Sequence, residues 1–131
     1  MYKIERRTSG YIITFSGSIN SAEMQKWRNE SQRILSLEKS PSFGVIIIMT
    51  DLVPLEYNAQ SIMIAGQDLY KQKGMQRSAV ILANPIISMQ FKRLAKESGI
   101  YATERYLDIK TYPNPIELAV KWVKEGIDPD K

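Results

Sequence analysis

Apolar and polar positions along this chain change period several times, and each change marks an element. Tyr2, Ile4 and Arg6 alternate with Lys3, Glu5 and Arg7, and a Ser9-Gly10 turn signal leads into Tyr11-Ile12-Ile13-Thr14-Phe15. Two strands joined this tightly must run antiparallel, so the spacing predicts an opening hairpin. Gly17 and Ser18 break the second strand. Asn20 followed by Glu23 has the form of a capping box, and Met24, Trp27, Ser31, Ile34 and Leu35 recur at helical spacing from about Ser21 to Glu38. The outward positions Lys26, Arg28, Glu30 and Arg33 are charged, as an exposed helix face requires.

Val45-Ile46-Ile47-Ile48-Met49 then runs without a polar break into Thr50-Asp51. A short, β-branched, uninterrupted run reads as a strand covered on both faces, the pattern of central parallel strands. Pro54 ends the ladder, and Asn58 is placed as the cap of a helix carrying Ile62, Met63, Gly66, Leu69 and Tyr70 up to Gly74. Ser78 to Leu82 is a second buried strand. Asn84-Pro85 sets a capping side chain before a proline at the first helical position, and Ile87, Phe91, Leu94 and Ala95 form the stripe that Gly99 stops. Glu104 to Ile109 has only a partial strand pattern, which an edge position tolerates. Asn114-Pro115-Ile116-Glu117 opens a last helix with Leu118, Ala119, Trp122 and Val123 on one side, and Ile127 to Lys131 is expected to fray.

The order strand, strand, helix, then strand and helix three more times demands right-handed parallel crossovers. The expected fold is therefore α/β: a single, mostly parallel five-stranded sheet with an antiparallel strand from the N-terminal hairpin and about four helices, in one domain covering 1–131.

Composition narrows the chemistry. The chain has no cysteine and no histidine, which excludes disulfides, thiolate sites and imidazole catalysis together. No glycine spacing matches a phosphate loop or dinucleotide fold, and no lysine is tied by a signature to Ser61, Ser78 or Ser88. No cofactor or metal is implied, and the expectation is a protein that is not an enzyme. The net charge of +4 is spread among acidic residues, and its densest cluster, Lys92-Arg93 with Lys96, reads as a solvated helix face, so nucleic acid is not the expected partner. No apolar stretch approaches the roughly 20 residues of a membrane span. With no signal-like start, a cytoplasmic location is expected.

In open α/β sheets ligands gather beyond the carboxyl ends of the parallel strands. That edge should collect Thr50, Asp51, Asn58, Ser61 and Asn84, where helix amino termini suit an anion or a phosphorylated side chain. Asn58 and Asn84 are adequately explained as caps, Asp51 as a turn residue and Ser61 as a small residue of the first turn. Leu55 and Tyr57 lie in a loop rather than on a stripe, so they are candidate partner contacts, with packing over the sheet edge as the alternative. Met63, Met75 and Met89 could line a cavity, although methionine commonly fills core gaps.

The hairpin Tyr2 to Phe15, the run Val45 to Asp51, the strand Ser78 to Leu82, and Glu104-Arg105-Tyr106-Leu107 followed by Pro115 to Val123 together resemble the STAS superfamily, the fold of anti-sigma-factor antagonists. Within it the chain is most similar to the SpoIIAA-like, or STAS/SEC14-like, branch. In signalling members an Asp-Ser pair at the start of the second helix carries a phosphorylation switch; here the stretch reads Tyr57-Asn58-Ala59-Gln60-Ser61-Ile62, with Ser61 reached only by a shift of register. The resemblance implies a binding or regulatory module that meets a protein partner, or a second copy of itself, through Asp51 to Ser61. Its SEC14 side implies, as the alternative, a carrier of an apolar small molecule or lipid.

Overall fold

A computed structural model describes all 131 residues. The strands are β1 (Tyr2–Arg7), β2 (Gly10–Gly17), β3 (Phe43–Leu52), β4 (Met75–Leu82) and β5 (Glu104–Asp108). The helices are α1 (Ser21–Ser36), α2 (Tyr57–Lys73), α3 (Pro85–Ser98) and α4 (Pro115–Glu125). One sheet has the order β1-β2-β3-β4-β5, with β1 antiparallel to β2 and every other pair parallel. The α/β architecture read from the pattern is the one observed.

Local chemistry sets most boundaries. The hairpin loop is Thr8-Ser9, one residue earlier than the sequence suggests, because Gly10 already pairs with Arg7. A Cβ at Gly10, whose φ is +155°, would lie 1.8 Å from the Gly44 carbonyl oxygen, so glycine is what lets β2 start against β3. The Asn20 side chain accepts from the Glu23 N–H at 2.9 Å, as its cap position predicts, and Asn84 does the same for Ile86 at 2.8 Å. Asn114 makes no side-chain cap bond, and α1 ends at Ser36 rather than Glu38.

Helices α1, α2 and α3 cover one face of the sheet; α4 alone covers the other. On the first face, Phe15 and Trp27 meet edge to face at 5.3 Å, and Tyr70 stacks on Trp27 at 6.0 Å. A Cβ on Gly66 would come within 2.2 Å of the Trp27 ring, so this glycine lets α2 seat on α1. Beneath α4, Ile46, Ala79, Ile81 and Leu107 pack against Ala119, Trp122 and Val123. The indole N–H of Trp122 donates to the Ser78 carbonyl at 2.9 Å. Central β3 is thus covered on both faces, and weakly patterned β5 is the edge strand expected.

The segment after α4 is not frayed. Arg105 Nε and Nη2 each donate to an Asp128 carboxylate oxygen at 3.0 Å, and the Tyr112 hydroxyl donates to Asp130 at 2.5 Å. The Arg105 guanidinium also sits 4.1 Å from the Trp122 ring centre. A planar fork over an aromatic face orders a segment that composition alone marks as loose.

Candidate functional site

The carboxyl ends of β2, β3, β4 and β5 form one rim, and the parallel topology delivers the starts of α2 and α3 there. Thr50 is half-buried, Asp51 is exposed, and Asp51 pairs across to Ser16 of β2. Leu55 corrects the sequence reading: it is 4% exposed and belongs to the main core. Its backbone is clamped by α3, since the Leu55 N–H donates to Gln90 Oε1 and Gln90 Nε2 donates to the Leu55 carbonyl, both at 2.8 Å. Gln60 Nε2 donates to the same carbonyl at 2.9 Å. The side chain therefore packs over the sheet edge, the alternative that its loop position left open.

Asn58 is not the cap of α2. That helix begins one residue earlier, at Tyr57, with Glu56 in the cap position and no side-chain cap bond. Asn58 and Ser61 are exposed on its first two turns. Tyr57 is 79% exposed, the most exposed large apolar side chain of the molecule. Asn84 stays a cap, so its amide oxygen is committed to the helix.

Sequence reasoning missed what surrounds Tyr57. Val53, Ile86, Met89 and Ile109 are exposed on the same rim. The Val53 N–H donates to the Gly17 carbonyl, and the Ile109 N–H to the Leu82 carbonyl, which places both just past strand ends. Ile86 lies one turn before Gln90 and Met89 directly before it, beside the clamped loop. Five of the eleven exposed large apolar side chains thus gather here, on elements separated in sequence. Each is unremarkable as a single exposed apolar residue in its own segment, so no local pattern signals the patch. Asp51 and Glu56 supply carboxylates at its border.

Met89, a candidate for a cavity lining or a core gap in the sequence, is 73% exposed on this rim instead. Met63 and Met75 do border an internal cavity, closed in by Phe15, Trp27, Ile47 and Phe91. Its volume is about 30 Å³. That is room for about two water molecules at roughly 10–15 Å³ each. Glu104 reaches its margin, 3% exposed, accepting from Ser78 Oγ and from the Tyr106 hydroxyl at 2.7 Å each. Burial pushes the Glu104 carboxyl up to about 7, against two hydrogen bonds that hold it down. Ser78 is fully buried and Glu104 nearly so.

Lys92 and Lys96 of the basic cluster lie over the rings of Tyr106 and Tyr101, at 5.3 and 4.8 Å from their centres. Arg93 bonds Gln60 and pairs with Glu97 at 3.2 Å. The three cations are engaged within the fold rather than arrayed as a patch. No helix is long and apolar enough to cross a membrane. Compared with known proteins, the chain matches no family model and no curated protein.

Proposed function

We propose that this domain is a non-enzymatic, STAS-like binding and regulatory module that meets a protein partner through the rim around Tyr57. The observation that carries this reading is the gathering of Val53, Tyr57, Ile86, Met89 and Ile109 on one edge. Scattered single apolar residues are ordinary on a protein surface, whereas a cluster bordered by carboxylates is the composition of a contact site. The clamped loop supports it, because Gln90 fixes the backbone beside Tyr57 before any partner arrives and so lowers the ordering cost of association. Tyr57 supplies a rigid amphipathic anchor of the kind that dominates interface energetics. A cytoplasmic setting belongs to the same reading and suits a chain without cysteine. The carrier alternative has weaker support, since a cavity of about 30 Å³ is far below the roughly 300–1,000 Å³ of a ligand pocket and the helices would have to part.

Affinity capture from the native host tests the proposal, with wild type, a Tyr57→Glu/Met89→Glu double variant and Leu37→Glu as baits. Leu37 is 70% exposed at the opposite end of the sheet, where α1 ends. A partner should be retained by wild type and Leu37→Glu and lost from the double variant, with all three melting alike. Equal recovery on all three baits would refute the rim as the contact.

A further inference from the structure

The two faces of the sheet are covered unequally. α4 packs over β4, β3 and β5 and leaves the β1–β2 half of its face without a helix. The bare floor is about two strand spacings wide, or roughly 10 Å, which is the diameter of one helix with its side chains. Ile12 of β2 and, at the boundary with α4, Ile48 of β3 form that floor, each only partly buried against the α4 cluster. Ile116 and Val120, 49% and 36% exposed, stand one turn apart as its wall. Gly10 and Gly44 deepen the amino end of the trough, where Arg7 and Lys124 line it.

Its charge is one-sided. Strand alternation puts Lys3, Glu5 and Arg7 on the same face as Ile12 and Thr14, with which β1 is paired. Glu5 is shared between Lys3 at 3.7 Å and Arg7 at 2.9 Å. Lys124 forms no ion pair, and Glu117 on the same side of α4 is paired with Lys121 at 3.3 Å, so the border of the apolar floor carries an excess of cations.

We infer that this trough is a docking site for an amphipathic helix of a partner protein, with an apolar stripe for Ile12, Ile48, Ile116 and Val120 and acidic flanks for Arg7, Lys3 and Lys124. A helix laid beside α4 completes the missing quarter of a three-layer sandwich. It buries the isoleucine floor while its carboxylates meet the basic border, the helix-in-groove mode of recognition. Acidic flanks, rather than basic ones, follow from the excess of cations. The surface is separate from the Tyr57 rim and stands or falls without it.

Two synthetic peptides of about five helical turns, sharing one leucine stripe but flanked by Glu in one and Lys in the other, test this on the isotope-labelled full chain. The Glu-flanked peptide should shift the amides of Ile12, Ile48 and Val120. It should bind at least about tenfold more tightly than the Lys-flanked one and weaken as salt is raised. Val120→Glu and Ile116→Glu, both at exposed positions, should each reduce its affinity at least about tenfold while melting within about 3 °C of wild type. Equal binding of the two peptides, shifts confined to the Tyr57 rim, or no binding of either would overturn the inference. So would a homodimer that Val120→Glu dissolves, which would make a second copy the occupant, or vesicle binding through this face.

Discussion

Glu104 is a carboxyl that forms no ion pair, held inside the protein by two hydroxyls. The native state keeps its proton up to about pH 7, whereas an unfolded chain releases it near the ordinary value of 4.5. Between those values the folded protein binds the extra proton, so stability is highest below the unfolded value, falls as pH rises towards 7, and is level above it. With no histidine in the chain, Glu104 is the side chain placed to titrate in that window. Wild type should therefore melt several degrees lower at pH 8 than at pH 5, and Glu104→Gln, which removes the titrating carboxyl while its amide oxygen accepts from one hydroxyl and its NH2 faces the other, should flatten that slope. Thermal melts across the range decide it; identical slopes would mean that the carboxyl is solvated. Neither its burial nor its partners can be read from the sequence, where Glu104 is one charged residue at the start of an irregular strand. Asn20 and Asn84 were legible because a cap is a contact between near neighbours. Leu55 was not, because Gln90, which clamps its backbone, lies far along the chain.

The loop between β3 and α2 is held in place by another element. Gln90 fills both hydrogen-bonding positions of Leu55, so the conformation of the loop depends on α3 being seated. Gln90→Ala should leave the Leu55 N–H without its partner, lowering stability by about 1 kcal/mol. Hydrogen exchange should then quicken at Leu55 and in the first turn of α2 while the amides of β3 stay protected; unchanged exchange at Leu55 would show that packing alone holds the loop. The segment after α4 teaches the same lesson. Its composition suggests disorder, yet Arg105 anchors Asp128 with two bonds of 3.0 Å, and the guanidinium holds that carboxyl below its ordinary range. Periodicity reports which residues share a face of one element. It carries no record of a side chain on one element reaching the backbone or tail of another.

At the scale of the whole molecule, the parallel sheet was legible because handedness leaves little choice. Each crossover in β2-α1-β3, β3-α2-β4 and β4-α3-β5 steps to the next strand in the same direction, and a right-handed turn puts all three helices on one face. No strand follows α4, so no crossover rule assigns its face, and the amphipathic pattern around Trp122 fits either. Hydrophobic balance decides: with the first face filled, Ile46, Ile81 and Leu107 need a cover, and α4 provides it. The same topology brings the starts of α2 and α3 and the ends of β3 and β5 to one edge. Val53, Tyr57, Ile86, Met89 and Ile109 come to that edge from segments separated along the chain.

That assembled edge is the centre of the proposed function, and a photo-crosslinking residue placed at position 57 in living cells of the native host reads it directly. The account predicts a discrete adduct with one partner protein from position 57 and from position 89, and none from position 37 at the other end of the sheet. Adducts from position 37 matching those from 57, or a bare rim beside a labelled position 37, would contradict it.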